Sequence, residues 1–222
     1  TLRVLLRDSG PLDPAITFHI VEQLLAGTQA IHDANVVHRD MKPENVFLLA
    51  GLQPQVRLVD FGIARLRDDH LPEHDRQYRT LKGVISGSPA YIAPETITGD
   101  PILPQTDIYS LGVMLFQMLT GRLPLSAGTA YEFLREHLVG IPRSLAQAKP
   151  TVNWCPKIER LLASMLAKEA ADRPESCQAI LDVLEGGLRD ETLAALSQPL
   201  AAPADPADDG GLFNNFFKML GR

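Results

Sequence analysis

No stretch of this 222-residue chain approaches the roughly 18 consecutive apolar positions that a membrane-spanning helix needs, and the N-terminus carries no charged-then-apolar leader, so a soluble chain is expected. Cysteine is nearly missing. Cys155 and Cys177 are the two in the chain, and a protein of this length does not depend on a disulfide to fold, so two reduced thiols in a cytoplasmic setting, or in the cytosolic part of a larger protein, are expected. Clustered Lys and Arg are absent too, and the formal net charge is −6. Affinity for phosphate backbones comes from concentrated basic side chains, which excludes nucleic acid as the expected partner. What is present is 45% hydrophobic and 22% charged residues, enough for a packed globular core.

Along the chain the periodicity is mostly helical. Between Asp13 and Ala34 the apolar positions Ile16, Ile20, Leu24, Ala30 and Ile31 recur at near-helical spacing after a capping Asp-Pro, which predicts one long half-buried helix. The runs VFLL (Val46 to Leu49) and VRLV (Val56 to Val59) flank the turn-forming AGLQPQ and predict a small hairpin. Residues 63–94 mix charge, Gly and Pro without a period and predict a long loop. The stretch from Asp107 to Gly121, DIYSLGVMLFQMLTG, is apolar nearly all round and predicts a central buried helix ending at the glycine. Further helices are predicted over 130–139, 157–167 and 175–186. The folded unit is expected to end near residue 190, and the Pro/Ala/Asp-rich run over 198–211 reads as a linker.

Two short strings carry the chemistry: HRDMKPEN (His38 to Asn45) and DFG beginning at Asp60. Phosphoryl transfer needs a group that orients the attacking hydroxyl, metal ligands that neutralise the phosphates, and a cation near the moving group. Asp40 can accept the hydroxyl hydrogen, and Lys42 can place an ammonium at the phosphate. Asn45 offers a carbonyl oxygen to Mg²⁺, and Asp60 a hard carboxylate oxygen. The hairpin is expected to hold the two metal ligands side by side. An isolated HRD or DFG reads as an N-cap and a tight turn, but here the two come in order at predicted strand ends and are followed by APE at Ala93 to Glu95. His70, Glu73 and His74 have metal-ligand spacing, but Pro72 interrupts it, and a solvated charge cluster is the expected reading.

With GSPAYIAPE (Gly87 to Glu95), DIYSLGVMLFQMLTGRLPL (Asp107 to Leu125) and DRP (Asp172 to Pro174) added, residues 2 to about 187 resemble the large, C-terminal lobe of eukaryotic-like serine/threonine protein kinases of the bacterial type. The resemblance implies an α+β fold, mostly helical with a small catalytic hairpin, over residues 1–187, with a tail over 188–222. It implies ATP and Mg²⁺ as cofactors and Ser/Thr hydroxyls of proteins as substrates. By the same resemblance Asp40 is the catalytic base, Lys42 the phosphate-binding cation, and Asn45 and Asp60 the metal ligands. Glu95 and Arg173 form a buried ion pair, and Asp107 anchors the catalytic loop. Lys42, two residues after the catalytic Asp, favours Ser/Thr over Tyr as the acceptor. Gly87 and Ser88 stand where the family usually has Gly-Thr, a departure that keeps the hydroxyl. Arg39 implies pairing with a loop phosphate, for which Thr80 and Ser86 are the candidates.

The first Lys is Lys42 itself, and no Gly-rich phosphate loop, no strand Lys and no helix Glu to pair with it precede His38. The small β-rich lobe is therefore expected to be absent from this chain, along with half of the nucleotide pocket. Weak binding of ATP by the chain alone follows, as does an open apolar face near Val46 and Phe61. The alternative is a binding or scaffold module of kinase shape without independent catalysis; a small-molecule phosphotransferase fits less well, because APE and the DIYSLG helix are not expected there. In the tail, Leu212, Phe213, Phe216, Phe217 and Leu220 fall largely on one helical face, so residues 212–222 are candidates for a partner or membrane-surface contact.

Overall fold

The computed structural model describes residues 1–49, 54–60 and 89–198. The chain opens with α1 (Leu2–Ser9), which buries Leu2 and Leu6. It continues with α2 (Pro14–Asp33), where the Asp13 carboxylate accepts from the backbone N–H groups of Ala15 and Ile16 at 2.8 and 3.3 Å. The cap that the Asp-Pro pair predicts is therefore formed. The buried stripe of α2 is Thr17, Phe18, Ile20, Val21, Leu24, Leu25 and Thr28. Ile16 and Ala30, counted on the apolar face by spacing alone, are exposed. The helix packs against several neighbours at once, so its buried arc is broad and rotated from the predicted one.

Strands β1 (Val46–Leu49) and β2 (Gln55–Leu58) pair antiparallel, with Val46 opposite Leu58 and Leu48 opposite Val56. The second strand begins and ends one residue earlier than predicted. Alternation puts Val46 fully inside the core, while Phe47 and Leu49 are 45% and 46% exposed. The open apolar face expected near Val46 is thus carried by Phe47 and Leu49; Phe61 lies outside the described residues.

After the Pro89–Tyr91 3₁₀ turn come α3 (Pro94–Thr98) and α4 (Pro104–Thr120). The end of the expected 63–94 loop is therefore ordered turn and helix. The central helix is in place but starts three residues before Asp107, with Pro104 in its first turn. It stops at Gly121, whose φ of 72° only glycine adopts freely and whose N–H returns to the Gln117 carbonyl. Nearly every side chain from Thr106 to Thr120 is buried.

Of the later helices, α5 (Ala130–Val139) packs on the Pro89–Tyr91 turn and α3, the short α6 (Leu145–Ala148) and α7 (Pro156–Met165) pack on α4, and α8 (Cys177–Val183) packs on α2. A Cβ at Gly112 of α4 would lie 2.9 Å from the Met165 Cβ and 3.3 Å from a Leu166 methyl, so glycine permits the close approach of α4 and α7. Packed helix continues past the expected end near residue 190. A π turn (Leu184–Leu188) leads into α9 (Arg189–Leu196), where Thr192 is fully buried and Arg189 reaches Glu22 of α2 at 3.0 Å. Among the described residues both cysteines are free and buried, and no helix is long and apolar enough to cross a membrane.

Candidate catalytic site

The site is assembled around one carboxylate. Asp107, in the first turn of α4, is 1% exposed, and its Oδ2 accepts from the backbone N–H of His38 at 2.8 Å while Oδ1 accepts from that of Arg39 at 2.9 Å. His32, on the last turn of α2, adds its Nε2 to Asp107 Oδ2 at 2.8 Å. Three donors converge on a carboxylate inside the core, which is what a buried charge requires. The backbone so held turns at Arg39 with φ of 67°, and Asp60 has φ of 56°. A non-glycine residue in this left-handed region costs of order 1–3 kcal/mol and persists only where the surroundings impose it.

Beyond that turn Asp40, Lys42 and Asn45 come together. Lys42 Nζ lies 2.6 Å from Asp40 Oδ2, and Asn45 Nδ2 donates to the Asp40 carbonyl oxygen at 2.9 Å and to its Oδ2 at 3.1 Å. The Asn45 amide thus spends its nitrogen on Asp40, and its oxygen is the group left to face a cation. The hairpin then brings in Asp60. Val46 pairs with Leu58, the Val59 N–H donates to the Asn45 carbonyl at 3.1 Å, and the exposed Asp60 follows directly. The His38 ring spans the same gap, with Nε2 3.2 Å from the Val59 carbonyl and Nδ1 accepting from the Asp40 N–H at 3.4 Å. This pair of bonds requires the tautomer protonated on Nε2. The strand pairing brings Asn45 and Asp60 to the same end of the hairpin, and an amide oxygen and a carboxylate are the kind of hard oxygen donors that Mg²⁺ takes.

A second buried cluster supports the segment that leads into α3. Arg173 holds Glu95 in a two-pronged ion pair at 2.7 and 2.9 Å, and its remaining N–H groups donate to the carbonyls of Ala167, Gln105 and Lys168 at 2.8–2.9 Å. Every guanidinium hydrogen is used, and the group stacks over the Tyr109 ring at 4.9 Å. Burial alone would push the Glu95 carboxyl up, but the bonds from Arg173 and Thr106 outweigh it and hold the pKa below the ordinary value.

Of the residues singled out by sequence, Arg39, Asp40, Lys42, Asn45, Asp60 and Asp107 gather here, and Glu95 and Arg173 pair as expected. Thr80, Ser86, Gly87 and Ser88 lie outside the described residues, as do His70, Glu73, His74 and the segment 212–222. Sequence reasoning missed His32, six residues before His38, whose partner lies 75 positions away. It also missed Arg3, whose guanidinium pairs with Glu44 and ties α1 to the 38–45 loop.

Comparison with known proteins places the chain in a family. Residues 1–183 match the protein kinase domain. The chain is 36% identical over 196 residues to the serine/threonine-protein kinase pkn2 of Myxococcus xanthus, covering 88% of this chain and 23% of that protein. It is 38% identical over 172 residues to the serine/threonine-protein kinase PkaA of Streptomyces coelicolor, covering 77% of this chain and 29% of that protein. The chain thus spans under a third of the length of these curated relatives. The crystal structure of the Mycobacterium tuberculosis PknI kinase domain superposes with a TM-score of 0.60 at 22% identity, over 83% of this chain and 61% of that one, a likeness of fold.

Proposed function

We propose that this chain, which belongs to the protein kinase family, carries the phosphotransfer half of a serine/threonine kinase whose nucleotide site is completed by sequence outside it. The observation that carries the reading is the juxtaposition of Asp40, Lys42 and Asn45 on a loop fixed by Asp107. Asp40 Oδ2 orients the acceptor hydroxyl and takes its hydrogen, and Lys42 lies within 2.6 Å of the same oxygen, where its charge meets the transferred phosphoryl group. Asn45 and Asp60 are the residues that would hold Mg²⁺, which neutralises the nucleotide phosphates when bound. Lys42 beside Asp40 and the serine/threonine kinases among its relatives both support alcohol rather than phenol acceptors.

The adenine contacts and the cation for the first two phosphates are not encoded between Thr1 and His38, so transfer by the 222-residue chain alone should be weak. The test is transfer of labelled phosphate from ATP and Mg²⁺ to casein by the full-length protein, with Asp60→Ala and Asp40→Asn as controls. Transfer lost in both controls supports the reading. A full-length protein that folds and transfers nothing, or that transfers equally with both substitutions, overturns it.

A further inference from the structure

The Pro89–Tyr91 turn and α5 pack against each other, and on the kinase reading proposed above this pair is the wall beside the acceptor hydroxyl. α5 carries two ties that the catalytic reading leaves unused. His137, fully buried on its last turn, meets the Tyr109 hydroxyl with Nδ1 at 2.8 Å, sets its ring edge-on to Tyr109 and stacks on Phe133. Lys168 donates to the carbonyls of Glu136 and His137 at 3.1 and 2.8 Å; the Glu136 carbonyl also accepts the Gly140 N–H at 2.9 Å, and the His137 carbonyl is among the last four of the helix.

Both ties end on the same partner. Tyr109 lies under the Arg173 guanidinium at 4.9 Å, and the Lys168 carbonyl accepts from Arg173 Nη2 at 2.8 Å. The circuit therefore runs from Glu95 at the start of α3, through Arg173, to Tyr109 and Lys168, and closes on the C-terminal turn of α5. If the Tyr109 hydroxyl donates to Nδ1, the His137 Nε2 carries the ring hydrogen. Nε2 is buried with no partner at bonding distance. Tyr131, on the same helix, is 76% exposed, so the circuit fixes the base of a helix whose outer face is open to a partner.

We propose that His137 and Lys168 are substrate-positioning residues: they strap α5 to the Glu95–Arg173 pair and set the wall against which the protein segment flanking the acceptor hydroxyl lies. The strap is independent of nucleotide chemistry, and only its consequence for substrate rests on the kinase reading.

The test has two arms. Hydrogen exchange over 89–98 and 130–139 in the 222-residue chain compares wild type with His137→Phe, His137→Gln and Lys168→Met. Exchange faster by about tenfold in both segments for His137→Phe and Lys168→Met, with 14–33 unchanged and His137→Gln near wild type, is expected. Unchanged exchange at both segments, or acceleration spread evenly over the chain, overturns the strap. In the full-length protein the same substitutions should raise KM for casein severalfold with kcat and KM for ATP unchanged, and a fall in kcat at constant KM overturns the positioning role. A full-length protein without any transfer defeats the kinase reading instead, and the exchange arm still decides the strap.

Discussion

His32 on the last turn of α2 and Asp107 on the first turn of α4 stand 2.8 Å apart, Nε2 to Oδ2, and between them they fix where the 38–45 loop begins. The carboxylate that His32 touches also accepts the N–H groups of His38 and Arg39, so two helices and the loop meet on one side chain.

Asp107→Ala therefore leaves two buried backbone donors and the His32 ring without their acceptor. Hydrogen bonds to a charged group are worth about 1.5–3 kcal/mol. A stability loss of about 3 kcal/mol or more by urea denaturation is expected, against about 1–2 kcal/mol for His32→Leu, which removes one donor and leaves the backbone bonds in place.

Arg173→Ala strands the Glu95 carboxylate in the core, and breaking one side of a buried pair costs about 3–5 kcal/mol. Lower folding yield and a lower denaturation midpoint are expected before any question of chemistry. A stable, soluble Arg173→Ala protein with an unshifted midpoint refutes this.

Acid should destabilise the fold through His137. Burial first, then the Lys168 charge, lower its pKa from 6.5 to about 4, against the pull of the Ala90 and Pro89 backbone. Between those values the unfolded chain binds more protons than the folded one, so stability falls as pH drops from about 6.5 towards 4. The groups facing this ring are the Tyr109 hydroxyl, Lys168 and the Phe133 ring, with Arg173 beyond Tyr109. A shift of this size corresponds to roughly 3 kcal/mol at most. Glu95, held below its ordinary pKa, loses stability in the same direction as pH falls through its folded value. His137→Gln isolates the histidine share: its denaturation midpoint should vary less than wild type between pH 6.5 and 4.5. An identical pH profile contradicts the assignment.

The two thiols should be inert in the folded protein. Burial, and to a lesser degree the Asp107 charge, push Cys177 up to about 12, and Cys155 is 7% exposed. Since the thiolate is the reactive form, a thiol reagent at pH 8 should label neither in buffer and both in denaturant. Prompt labelling of Cys177 in buffer contradicts the packing of α8.

Gly112→Ala tests the contact between α4 and α7. The added methyl sits 2.9 Å from the Met165 Cβ, on two helices that cannot both give way. Overpacking of this kind costs about 1–3 kcal/mol, opposite in sign to the gain that helix propensity alone predicts for glycine to alanine. A stabilised variant shows that the helices are not in that contact.

The sequence by itself determined the order of the long helices and the hairpin, the capped start of α2, the glycine stop of α4 and the residue types that phosphoryl transfer needs, because caps, turns and motif spacing are local and act through the nearest few residues. Tertiary structure decided the rest. Ile16 and Ala30 are exposed because α2 has neighbours on more than one side, which its own periodicity does not encode. Val46 rather than Phe47 lies in the core because the strand is oriented by what packs beneath it. The partners of His32 and His137 lie 75 and 28 positions away, and no spacing rule links a side chain to an atom that only folding brings within 3 Å. The left-handed backbone at Arg39 and Asp60 is of the same kind, a local cost that the packed core imposes and that a chain read in isolation gives no reason to accept.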